Sequence, residues 1–428
     1  MARLAASAGS LSRLRDFRSF WIANIVSNLG TSAFLMALSW LTVRSYGASG
    51  IAALALGYGF PQFLLEVVGG AEADRINRRH LFQLTEAGFL VVALVLWLAS
   101  LSGAVPLWLL LSLTACNGAI SAFDSPARTA LISEMVPVEE LVDAEQLYSI
   151  SSNITNIFGP ALGGILMSIG SSDRSREEIV FLFNVFSFLP LLALIPFLPP
   201  GFLPVRAGKK QGGSFVRSVS EGLRFVRADR RLRPLLMLLA VVMLLGMPFQ
   251  TLLPIFVDGH HSMPGAQSHG AYAVLLSAVG FGGFVGSLFG MAAGEGSQPG
   301  RALLIAASGL GLSIVLLASS NSLPLASLAS FMAGACGILA LNLDMALVEG
   351  LTPLALQGRV SAIASLGKGL QSFSAAAASA MIHWVATFGH LRSIGYSVVQ
   401  CSMALILIVA VIALRPALLR LSLNPDHV

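Results

Sequence analysis

Apolar residues fall along this chain in long unbroken runs, each closed by a short polar or basic segment. The runs cover residues 20–44, 50–71, 80–102, 106–127, 141–169 and 179–199, and then 234–257, 270–293, 301–319, 323–346, 359–386 and 394–415. Each is long enough for the ~20 apolar residues that one helical crossing of a bilayer needs. The ten-residue alternation of a transmembrane β-barrel does not appear. The pattern therefore predicts an all-α integral membrane protein with twelve transmembrane helices in two pseudo-symmetric six-helix bundles. The boundaries implied are 1–199 for the first bundle, 200–233 for a cytoplasmic linker and 234–428 for the second bundle. Six spans, a long linker and six more is the plan of a parallel internal repeat. A trace of that repeat survives: Ser133, Glu134, Met135, Val136 and Pro137 after the fourth run echo Glu349, Gly350, Leu351, Thr352 and Pro353 after the tenth.

Composition strengthens this reading. Of 428 residues 55% are hydrophobic and 11% charged, with a mean hydropathy of +0.80, where a soluble domain carries roughly 25% charged residues. No soluble core hides that much apolar surface, so the bilayer is the expected solvent. Cys116, Cys336 and Cys401 sit inside apolar runs, with neither metal nor disulfide spacing, and read as small packing residues. The net charge of +5 does not call for nucleic acid, because the basic residues are distributed as topology requires. With a cytoplasmic N-terminus, 21 of the 26 lysines and arginines fall on the inner side, as the positive-inside rule demands. Both termini are then cytoplasmic, and the first run is an uncleaved helix rather than a leader. In the linker, Phe215, Val219, Leu223 and Val226 recur at helical spacing with Arg217, Arg224 and Arg227 on other faces. This predicts an amphipathic helix on the cytoplasmic leaflet, acting as a tether or as a regulatory or partner site.

The most specific local signal lies between the second and third runs: Gly69, Gly70, Ala71, Glu72, Ala73, Asp74, Arg75, Ile76, Asn77, Arg78 and Arg79. It resembles the cytoplasmic Gly-x-x-x-Asp-Arg-x-Gly-Arg-Arg motif of the major facilitator superfamily, with Asn77 where that motif has glycine. Phe123, Asp124, Ser125, Pro126, Ala127 and Arg128 follow, then Gly159, Pro160, Ala161, Leu162, Gly163 and Gly164. That succession resembles the bacterial branch containing the enterobactin exporter and macrolide efflux proteins, and Gly358, Arg359 and Val360 continue it thinly in the second half. The resemblance implies the major facilitator fold and a cytoplasmic latch built from Gly70, Asp74, Arg75, Arg78, Asp124 and Arg128. Physically, Gly70 permits close helix approach, Asp74 can accept from free N–H groups at a helix start, and Arg78 is expected to pair with Asp124. Gly159, Pro160, Gly163 and Gly164 would bend and closely pack the fifth helix. They resemble a motif of antiporting exporters, and ordinary helix packing accounts for them equally. Gly282, Gly286 and Gly290 make a four-residue ladder read as packing.

Ionisable groups inside spans are functional candidates, since exposing them to lipid is costly. Lys368, near the midplane, is placed to bind an anionic substrate group. Glu66 is placed to carry a coupling proton, although both also read as structural charges lining a wet cavity. Asn24, Asn28, Asn117, Asn153, Asn156 and Gln371 offer neutral hydrogen-bonding groups, and Asp344 reads as a capping or pairing residue. Proton-driven relatives often carry an acid midway along the first helix; here Ser27, Asn28, Leu29, Gly30, Thr31 and Ser32 hold none, which shifts weight to Glu66. No phosphate-cradling loop or convergent catalytic set appears, so no enzyme, cofactor or metal is expected. His260, His261 and His269 near Asp258 read as a solvated outer loop.

The function expected is a secondary active exporter in a bacterial inner membrane. It would act as a monomer, exchanging protons for a small amphiphilic molecule such as a siderophore or drug. Lipid movement between leaflets and a non-transporting sensor with the same fold are the alternatives.

Overall fold

The computed structural model describes residues 15–69, 78–103, 105–137, 140–170, 173–197, 231–259, 269–294, 299–388 and 395–419, with Arg224, Val226 and Asp229 between. Over these the chain is helical, as the apolar runs require, because a backbone in lipid must satisfy its own hydrogen bonds. The elements in order are α1 (Arg15–Gly69), α2 (Arg78–Leu101), α3 (Leu107–Met135), α4 (Leu141–Ile169), α5 (Asp173–Leu194), α6 (Leu232–Val241), α7 (Phe249–Gly259), α8 (His269–Gly294), α9 (Pro299–Ala318), α10 (Leu323–Leu351), α11 (Leu354–Phe388) and α12 (Gly395–Leu418). Nine helical stretches among the described residues are long and apolar enough to cross a membrane. The first of these holds two of the predicted spans: α1 is broken at Gly47, whose φ of 62° and ψ of −153° turn the chain between two helical arms. The outer surfaces remain apolar, with Trp108, Phe158, Ile305 and Leu405 all more than half exposed, as expected where lipid rather than water is the solvent. Cys116 belongs to this exposed set, contrary to its reading as a packing residue. The linker helix expected near 215–226 lies outside the described residues apart from Arg224 and Val226.

By their contacts the residues form two compact units, 1–41 with 60–215 and 42–59 with 216–428. The division expected from sequence kept 1–199 together. Contacts instead assign residues 42–59 to the second unit, where they pack on α11: Ser379 Oγ donates to the Ala48 carbonyl at 2.6 Å, and Ala55 is buried with Ala375 and Ala376.

In the first unit, one end of the bundle is filled by Phe17, Phe20 and Ala23 of α1, Leu81 and Phe82 of α2, Ala127, Leu131 and Ile132 of α3, Ala144 of α4 and Leu191 of α5. The Phe20 and Phe82 rings tilt against each other at 5.9 Å, the offset geometry aromatic pairs prefer.

In the second unit, α8 and α10 approach more closely than side chains allow. A Cβ at Gly282 would overlap the Phe331 carbonyl, and one at Gly286 the Ala335 carbonyl, so the ladder packs as its spacing predicted. Between α6 and α7 the helix widens into a π turn, Val242–Gly246. Pro248 has no N–H to give the Leu244 carbonyl. Met247 N bonds Val242 O at 2.9 Å instead, and Ser374 Oγ of α11 donates to the freed Leu244 carbonyl.

Candidate functional site

Three helices of the first unit carry polar side chains into a buried network just inside the apolar end. Asn24 lies nine residues into α1, Glu86 eight into α2, and Arg128 seven before the end of α3. At 1.5 Å per residue each is roughly 10–14 Å from that end, so the three meet at one level. Asp124 and Arg128 stand four residues apart, hence on one helix face, with the acid N-terminal as the favourable order requires.

Arg128 is the centre. Its Nη2 donates to Glu86 Oε1 at 2.7 Å and to Asp124 Oδ2 at 2.9 Å. Its Nε donates to Asp124 Oδ2 at 3.2 Å, and its Nη1 donates to Asn24 Oδ1. The Arg128 Cζ sits 4.9 Å from the centre of the Phe82 ring, a cation–π contact on the apolar layer. The remaining carboxylate oxygens are also satisfied. Thr85 Oγ1 donates to Asp124 Oδ1 at 2.8 Å, and Ser27 Oγ to Glu86 Oε2 at 3.3 Å. Glu86 is fully buried, and Asp124 and Arg128 are nearly so. Buried charges persist only when paired and hydrogen-bonded, and this network meets that condition with two carboxylates on one guanidinium. With both carboxylates ionised it would carry one net negative charge, which a proton can neutralise.

Other expectations fare differently. Arg78 does not meet Asp124: its Nη1 pairs with Glu134 Oε1 at 3.3 Å. Asp124 is held deeper by Arg128 and Thr85, which saturate its two oxygens. Gly70, Asp74 and Arg75 lie outside the described residues. Glu66 is partly exposed and accepts from Gln62 Nε2 at 2.9 Å. Lys368 lies in α11, with its side chain outside the described set. Asn28 and Gln371 are half-buried, Asn117 is buried and Asn156 is exposed. Gly159 and Gly163 face Ser32, Ala33 and Met36 of α1, and a Cβ on Gly159 would overlap Ser32. Pro160 and Gly164 sit buried in the same helix, which runs on to Ile169. Asp344 is buried at 2% exposure, and neither of its oxygens has a hydrogen-bond partner among the described residues. It does not cap, because a helix end of this polarity presents carbonyls rather than N–H groups. No group of three or more His, Cys, Asp or Glu among the described residues is arranged to hold a metal.

Glu86 belongs to no motif in the sequence. Its signal was the same as that of Glu66 and Lys368, an ionisable residue inside an apolar span. The residues that complete it come from α1 and α3, 59 and 42 positions away.

The profile of the transmembrane secretion effector family matches residues 7–424. The chain is 22% identical over 265 residues to the staphyloferrin A transporter of Staphylococcus aureus, a match spanning 61% of this chain and 64% of that one. It is 27% identical over 274 residues to the multidrug efflux pump Tap of Mycobacterium tuberculosis, spanning 62% of each. The chain thus spans less than two thirds of the length of these curated relatives. A solved nucleoside transporter superposes with a TM-score of 0.71 at 11% identity, over 95% of this chain and all of that one, which is a likeness of fold.

Proposed function

Since the chain belongs to the transmembrane secretion effector family, and so to the major facilitator transporters rather than to any enzyme class, we propose that it exports a small amphiphilic molecule in exchange for protons. The membrane in this reading is the bacterial cytoplasmic membrane, with both termini inside, and the working unit is a monomer. The observation that carries it is the buried set of Glu86 and Asp124 around Arg128. A charged network of this kind inside a membrane span is expensive and marks an ion or proton pathway.

The residues supply a coupling device. With Glu86 ionised, Arg128 ties α2 to α3 and, through Asn24, to α1. A proton on Glu86 removes the charge that Nη2 answers, leaving the guanidinium with Asp124 on its own helix and the neutral Asn24 on α1. The tie between helices then weakens, and the bundle can shift toward a second arrangement, a change of population driven by differential proton affinity. Asp74, Arg75 and Gly70 belong in this reading to the inner latch. Lys368 and Gln371 serve an anionic or polar part of the substrate. The substrate class follows the relatives, one named for staphyloferrin A and one for multidrug efflux: a siderophore or a drug-like amphiphile.

The test is comparative mass spectrometry of medium and cell extract from a deletion strain complemented with wild type or Glu86→Gln, grown iron-poor and iron-rich. The expected result is one metabolite retained in deletion cells, released by wild type and not by Glu86→Gln. Full release by Glu86→Gln removes the network from coupling. No metabolite differing between strains defeats endogenous export and leaves drug efflux as the reading to pursue.

A further inference from the structure

The second unit contains an acid that the coupling network does not use. Asp344 lies in α10, seven residues before Leu351. Its neighbours at helical spacing, Ala340, Leu347 and Val348, are buried and apolar. It is 2% exposed, and among the described residues neither carboxylate oxygen has a hydrogen-bond partner.

The elements packed against α10 bring it no answering cation among the described side chains. On α6 and the π turn the one charged residue is Arg233, which is exposed. On α8 the one candidate, His269, opens that helix. Gly282, Gly286 and Gly290 meet successively later positions of α10, so the two helices run parallel and His269 belongs to the end far from Asp344. Four residues join α9 to α10, making them an antiparallel hairpin with Arg301 toward the Asp344 end. Arg301 is nevertheless exposed and makes no ion pair with Asp344. On α11, His383 is exposed, and the side chains of Arg359 and Lys368 are outside the described set. On α10 itself Glu349 is exposed, and Cys336 lies two turns away.

A buried carboxylate with no donor among the described residues is far costlier ionised than as the neutral acid. A cationic group of a transported molecule would need an open face beside the acid, and 2% exposure leaves none. We infer that Asp344 is a proton-binding site, a second one in this chain and the only acid in the buried part of α10. It holds its proton in this conformation. The assignment concerns the protonation itself and stands independently of export or antiport.

Infrared spectroscopy of the purified full chain in detergent reads it without a substrate, through the carbonyl stretch of a protonated carboxyl group at neutral pH. Wild type is expected to show the band, with its frequency moved by exchange into heavy water, and Asp344→Asn is expected to lose it. Asp344→Glu keeps an acid at the site and is expected to displace the band rather than remove it, which covers the case in which the asparagine variant does not fold. A band that both variants leave unchanged in intensity and position overturns the inference, as does a wild-type spectrum without one. Glu86→Gln serves as the internal control: its spectrum is expected to keep the Asp344 band, and loss of that band there assigns the proton to the first unit instead.

Discussion

Arg128 on α3 reaches Glu86 on α2 at 2.7 Å while spending its other nitrogens on Asp124 and Asn24. One guanidinium thus binds three helices in a buried layer of the first unit. An ammonium in its place offers a single point charge without the planar fork.

Removing Arg128 leaves two buried carboxylates with hydroxyl partners only. Loss of one member of such a set costs about 3–5 kcal/mol. Arg128→Gln is therefore expected to lower the thermal unfolding temperature in detergent sharply. Arg128→Lys should recover less than half of the loss, because an ammonium lacks the planar fork that spans Glu86, Asp124 and Asn24. Equal melting of wild type and Arg128→Gln would show that the network does not hold the bundle.

Arg78 and Glu134 make a different kind of pair, with side chains 30% and 16% exposed. Partly wet pairs are worth about 0.2–1 kcal/mol. A double-mutant cycle between Arg78 and Glu134 should return a coupling in that range, and a cycle between Arg78 and Asp124 should return none. The reverse result would restore the pairing that sequence spacing suggested.

How much of this was legible in the sequence depends on range. Helix positions and the glycine ladder on α8 follow from local pattern, since length, hydropathy and four-residue spacing are properties of one segment at a time. The partner of a charge is not. Arg78 stands four residues beyond Asp74 in a known motif, and the nearest acid by resemblance was Asp124. Which acid a long side chain meets depends on the relative rotation of α2 and α3, which spacing does not encode. Glu86 was visible as a charge in an apolar run, yet its importance comes from Arg128 and Ser27 on other helices. Gly47 likewise sits between two runs whose gap was clear, while its backbone angles were not.

The approach of α8 to α10 gives a test with its own control. A side chain at Gly286 would run into the Ala335 backbone, whereas a Cβ at Gly290 meets the Asn342 Cβ at an ordinary 3.5 Å. Overpacking a close contact costs about 1–3 kcal/mol. Gly286→Ala is expected to fall within that range by thermal melting, and Gly290→Ala to be nearly neutral. Comparable losses at both positions would mean that Gly290 tolerates a methyl group no better than Gly286 does, since helix propensity alone favours alanine over glycine.

Gly47 separates backbone geometry from packing, because a Cβ there would touch nothing within 4 Å. Its φ of 62° with ψ of −153° lies outside the left-handed helical well that asparagine tolerates, in a region that only glycine enters readily. Holding another residue there costs roughly 1–3 kcal/mol. Gly47→Ala is expected to lower the melting temperature even though the site has space for the methyl group. Gly47→Asn should be no better than alanine, which is the discriminating outcome. Rescue by asparagine would place this turn in the left-handed well, and an undisturbed alanine variant would mean that the two arms of α1 can be joined through another backbone path.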